Sequence, residues 1–147
     1  MLQRYHKAAQ TESSGTRAVE ALITFATRVA RLDDADAAYR ELIRRDHENA
    51  TPLVRYGDFL REARNEPLRA VEQYQQALIW RPDDEATRAK LPDIYIELGI
   101  AHFQKREYMT AQVRFDEAAK YVKDPNSPQG LRLRDYIGKL REIRGGR

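Results

Sequence analysis

The chain of 147 residues contains no cysteine. That excludes a disulfide framework, a thiolate metal site and a cysteine nucleophile, and it fits a reducing compartment. No uninterrupted apolar run approaches the roughly 18 residues needed to cross a bilayer. The opening stretch, MLQRYHKAAQTESSG, carries charge early and lacks a long apolar core, so no signal peptide and a cytoplasmic location are expected. Histidine is scarce: His6, His47 and His102 lie far apart, with no pair at i, i+4, and no metal site is expected. There is no GxSxG, no glycine-rich phosphate loop and no HExxH. Acidic pairs such as Asp83/Asp84 fall in predicted turns, where capping explains them. The expectation is a protein that is not an enzyme and has no cofactor.

What the chain does have is helical patterning. With 41% hydrophobic and 33% charged residues it belongs with soluble, helix-rich proteins. Three stretches repeat one spacing, a small or apolar residue, an aromatic four later and a small or apolar residue three after that. They are Ala35/Tyr39/Leu42, Ala70/Tyr74/Ala77 and Ala111/Phe115/Ala118. Copies 35 and 41 residues apart mark a helical array, in which no unit buries its apolar face alone.

Residues 1–15 form an N-terminal segment, with Leu2, Tyr5, Ala8 and Ala9 able to line a short helix and Thr11 to Gly15 reading as a loop. Thr16 is predicted to cap a helix reaching about Leu32, and the Asp33/Asp34 turn leads into a second over about 35–45. Thr51-Pro52 opens the next helix, to about Arg64, followed by one over 67–80. Pro92 should interrupt any helix starting near Glu85, so residues 85–91 are expected as a short insertion and 92–105 as a fresh helix. Further helices are expected over about 108–123 and 128–143. No segment alternates as a strand would, so the fold class is all-α.

The helix pairs resemble tetratricopeptide repeats, over about residues 16–125. The third unit (92–125) carries the pattern in full: Tyr95, Leu98-Gly99, His102, Ala111, Phe115, Ala118 and a late Pro125. The second (50–84) carries Leu53, Tyr56-Gly57, Leu60, Ala70, Tyr74, Ala77 and Pro82. The first (16–49) is degenerate, with Val19, Leu22 and Ala26 in place, Ile23 at the small position and His47 where proline is usual. Gly57 and Gly99 are expected to let paired helices approach closely, and Tyr74 and Phe115 to fill the space between successive units. Trp80 is expected to serve inter-repeat packing. The resemblance implies a right-handed superhelical array of antiparallel helix pairs closed by an amphipathic basic C-terminal helix over 126–147.

It also implies a non-catalytic adaptor, scaffold or assembly subunit that binds a peptide, helix or subunit of another protein in a concave groove. Carried over residue by residue, that groove offers Arg17, Glu20, Thr24 and Arg28 from the first unit and Val54, Arg55, Asp58 and Arg61 from the second. The third supplies Asp93, Ile96, Glu97, Ile100, Phe103 and Gln104. Val54, Asp58, Ile96 and Ile100 stand where a carboxylate clamp needs polar or basic groups, so that variant is not expected. Ile96, Ile100 and Phe103 form an apolar stripe at i, i+4 and i+7, to be covered by a partner, by the C-terminal helix or by residues 1–10. Self-assembly through repeat stacking is the alternative function. The last 22 residues hold six Lys/Arg and two Asp/Glu. Arg132, Arg134, Lys139, Arg141, Arg144 and Arg147 therefore make a possible basic patch, although nucleic acid is not the expected partner.

Overall fold

The computed structural model describes residues 15–29 and 31–146. The expectations for the N-terminal segment before Gly15, for His6 and for Arg147 lie outside them. Among the described residues there are seven helices and no strand: α1 (Gly15–Arg28), α2 (Leu32–Arg45), α3 (Ala50–Glu62), α4 (Pro67–Trp80), α5 (Glu85–Gln104), α6 (Tyr108–Ala119) and α7 (Pro128–Gly145). They divide into two compact units, Met1–Pro82 and Asp83–Arg147. In the first unit α1 packs on α2 and α3 on α4, with α2 also touching α3; in the second, α5 packs on α6 and α7 lies against both. Within each pair the connection is only three or four residues, which forces neighbours that touch along their length to run antiparallel. The connections of the second and third pairs each turn through a left-handed residue, Asn65 (φ 55°) and Arg106 (φ 63°), at matching places.

All nine residues of the repeated triplets are buried. Their partners explain the spacing. A Cβ built on Gly57 would stand 2.5 Å from Cε1 of Tyr74, and one on Gly99 would stand 2.6 Å from Cδ1 of Phe115. Each ring therefore lies on a bare glycine Cα of its own pair. These aromatics, expected between successive units, thus also fill the notch of their own pair, and Phe115 lies tilted against Tyr136 of α7 at 5.6 Å. The first pair has buried Ile23 where the others have glycine, and no notch exists for its aromatic. Tyr39 instead meets Tyr56 and Phe59 of α3, at centroid distances of 5.5 and 5.1 Å.

Several boundaries differ from the sequence-based expectation: Thr16, expected as a cap, lies inside α1, and α1 ends at Arg28, so that Leu32 opens α2. Asp33 and Asp34 lie inside the first turn of α2, where carboxylates favour the helix dipole, and not before it. The cap of α3 is Asn49, whose side chain accepts from the Thr51 N–H at 3.0 Å, two residues ahead of the expected Thr51. α6 stops at Ala119, short of Lys123.

The largest difference is at Pro92, which lies inside α5 and is buried there. Residues 85–91 are two added helical turns, not a separate element. Proline has no N–H to answer the carbonyl four residues back, so the added turns need other anchors, and they have them. Asp84 caps them through the Thr87 N–H (3.1 Å) and hydroxyl (2.7 Å). Lys123 reaches Glu85 at 2.6 Å, and Gln129 at the start of α7 donates to the Ala89 carbonyl (2.8 Å) and to Asp93 (2.7 Å).

Glycine-to-alanine substitutions should separate by sign. Gly57→Ala and Gly99→Ala push a Cβ into a buried ring and should lower unfolding free energy by about 1–2 kcal/mol after the helix-propensity gain. Gly138→Ala, whose Cβ would meet nothing within 4 Å, should raise it by about 0.5–1 kcal/mol. Urea unfolding of the three variants checks this; loss of stability in all three would contradict it.

Candidate functional site

In the first unit the expected groove residues of α3 occupy different environments. Val54 is partly buried against the Ala50/Leu53/Ala77 cluster. Arg55 is half-exposed; its Nη1 meets Glu20 of α1 at 3.1 Å and its guanidinium carbon lies 6.0 Å from the centre of the Tyr39 ring. Asp58 accepts the Tyr74 hydroxyl at 2.5 Å. Arg61 is partly buried. On α1, Arg17, Thr24 and Arg28 are exposed, and the Thr24 hydroxyl is bonded back to the Glu20 carbonyl.

Arg55 and Asp58 come together in a cleft of about 300 Å³, lined also by Thr27, Tyr39, Phe59 and Glu62. Its construction follows from the helix register. Residues 55, 58, 59 and 62 share one face of α3, while Tyr39 of α2, packed on Phe59, supplies an aromatic floor with it. The rim carries one cation and two carboxylates. Such a surface can hold a short peptide by burying an apolar side chain on the rings and matching mixed charges around it.

Behind the cleft lies a polar cluster that sequence reasoning missed. Asp36 is buried, accepts the Tyr56 hydroxyl at 2.7 Å and pairs with Arg40 at 2.9 Å. Arg40 and Arg69 both donate to the Tyr56 oxygen, at 3.2 and 2.8 Å, and Arg69 also pairs with Glu66. The cluster joins α2, α3 and α4. Its one sequence signal is an Asp at i+1 of the small Ala35, a position too common to single out.

In the second unit Ile96 and Ile100 are buried, only 1% and 8% exposed. Phe103 is partly buried and packs edge-on to Tyr136 of α7 (5.4 Å) and to Tyr108 (5.5 Å). The C-terminal helix, one of the coverings considered for the stripe, meets Phe103 through Tyr136, and residues 1–10 lie outside the described residues. Asp93 is held by Gln129, and Glu97 and Gln104 are exposed on α5.

The residues of the expected basic patch have different neighbours. Lys139 pairs with Asp135 at 2.9 Å and lies 4.5 Å from the centre of the Tyr136 ring. Arg134 and Arg141 line a cleft between the end of α6 and α7, while Arg132 and Arg144 are exposed. Trp80 ends α4 and is 44% exposed.

No cluster of three or more potential metal-ligating side chains occurs among the described residues, and none of their helices is long and apolar enough to cross a membrane. No family model matches the chain, and no curated protein is similar enough to it to count as a relative.

Burial holds the phenols of Tyr39, Tyr56 and Tyr74 above their usual 10.0, and at Tyr74 the Asp58 carboxylate adds to the effect. A group held protonated in the fold but ionised in the open chain stabilises the fold below its unfolded pKa, and that contribution is lost as pH rises beyond it. Stability should therefore fall as pH climbs above about 10. Tyrosinate absorbance should report some of the eight tyrosines ionising only together with loss of helicity. Smooth ionisation of all eight with helicity intact would refute the buried-phenol arrangement.

Proposed function

We propose that the chain is a non-catalytic protein-binding module of the tetratricopeptide type. In this reading its helix pairs are repeats of a right-handed superhelical array, and it serves as an adaptor, scaffold or assembly subunit for another protein. The observation that supports it best is the cleft over Tyr39 and Phe59, where Arg55 and Asp58 meet on the first helix of the second pair. A peptide segment from the partner lies in that cleft, an apolar side chain on the rings, a carboxylate toward Arg55 and a cationic or amide group toward Asp58 and Glu62. Partly buried Val54 and Arg61 flank the same helix, and Glu97 and Gln104 are the exposed recognition positions on α5.

Arg55→Glu combined with Glu62→Arg tests this. The Arg55–Glu20 pair is exposed enough that its loss should cost no more than about 1 kcal/mol. The variant should stay folded by circular dichroism while losing the proteins that wild type captures from native lysate. Equal capture by the folded variant would place recognition elsewhere. Substitutions at Ile100 or Phe103 are unsuitable for this purpose, because a charge there disrupts packing within the second unit.

A second reading, self-assembly through repeat stacking, draws on Met109 and Val113. They lie one turn apart on α6 and are 79% and 55% exposed. Light scattering over a concentration series should show growing mass if that face self-associates. A constant monomer mass removes the reading.

A further inference from the structure

The cleft between the end of α6 and the C-terminal helix has a volume of about 380 Å³ and a different chemistry from the first. Its floor is apolar, made by Val122 and Pro125 from the α6 side and by Leu133 and Ile137 from α7. The charged side chains that line it are two arginines, Arg134 and Arg141. Seven residues apart on one helix face, they stand about 10 Å from each other along the axis. Between them is Gly138, where a Cβ would meet nothing within 4 Å. An adjoining side of α7 is engaged within the unit: Leu140 is buried and Tyr136 contacts Phe103 and Phe115, while Leu133, also buried, lies at the boundary between that side and the cleft. Arg134, Gly138 and Arg141 lie on the cleft side of that boundary.

We propose that this face of α7 docks an acidic amphipathic helix of a partner protein. The charge selects the partner: two exposed guanidiniums over an apolar floor complement carboxylates spaced two turns apart beside an apolar stripe. Gly138 selects the shape. A glycine at the middle of the face lets a second backbone cross close to α7, whereas any larger residue would hold it off. The trough has exposed residues along its length, Ala119, Arg134 and Arg141 among them, which suits a helix laid across it better than an enclosed acyl chain. The site is independent of the Tyr39/Phe59 cleft, so either can fail without the other.

The probes are two synthetic helical peptides of about 18 residues, with one leucine stripe and either glutamate or lysine on its flanks. Fluorescence anisotropy reads their affinity for the full chain. The glutamate peptide should bind at least about tenfold more tightly than the lysine peptide, and Arg134→Glu with Arg141→Glu should reverse that preference. Gly138→Leu fills open space and should leave the protein folded, yet weaken the glutamate peptide by at least about tenfold. Equal affinity for the two peptides, no binding of either, or Gly138→Leu binding as well as wild type would each overturn the proposal. So would dimerisation of the wild type that Gly138→Leu abolishes, because the occupant would then be a second copy.

Discussion

An aromatic ring resting on the bare Cα of a glycine sets the geometry of the helix pairs. Tyr74 on Gly57 and Phe115 on Gly99 bring α3 against α4 and α5 against α6 at a distance no larger residue permits. Alanines one turn to either side, Ala70 and Ala77 in one pair and Ala111 and Ala118 in the other, keep the rest of each interface equally close. The first pair lacks the notch, and its aromatic has different neighbours. With Ile23 in the glycine's place, Tyr39 turns toward α3 and becomes the floor of the cleft that holds Arg55 and Asp58. The degenerate unit is therefore the one whose aromatic residue lines a cleft.

Packing periodicity was the legible part of the sequence because it is local. Small and aromatic residues recurring three and four apart report one helix face whatever lies opposite, and every residue of the three triplets proved buried. Pro92 was misread for the opposite reason. A proline costs a helix one backbone bond, and here the turns ahead of it are anchored instead by Lys123 and Gln129, more than thirty residues along the chain. The Ile96/Ile100/Phe103 stripe was visible as apolar, but no local pattern states what covers it; the ring that meets Phe103 belongs to Tyr136. Arg55 and Asp58 came from the repeat resemblance, while Thr27, Tyr39 and Glu62 join them only through tertiary packing.

The buried polar cluster around Asp36 follows another logic. A carboxylate removed from water is costly unless charged donors surround it, and a hydrophobic replacement of similar size is often as stable. What the cluster does supply is directionality. The Tyr56 hydroxyl donates to Asp36 and accepts from Arg40 and Arg69, so α2, α3 and α4 satisfy it in one register and leave it unsatisfied in others. Ring-on-glycine contacts fix the spacing within a pair. This hydrogen-bonded cluster fixes how the first pair meets the second, and with it the position of the cleft above.

Glycine inside a helix weakens it by about 1 kcal/mol relative to alanine, so each interior glycine calls for an offsetting contact. For Gly57 and Gly99 the contact lies inside the fold, in the ring each one admits. For Gly130 it is the turn before α7, whose Pro125 carbonyl stands 2.5 Å from where a Cβ would be. Gly138 has none: its missing side chain faces open space between two arginines. The same residue type thus has two uses in this chain. Where a ring or carbonyl fills the vacancy, glycine belongs to the scaffold; where nothing among the described residues fills it, the helix leaves room for a close approach.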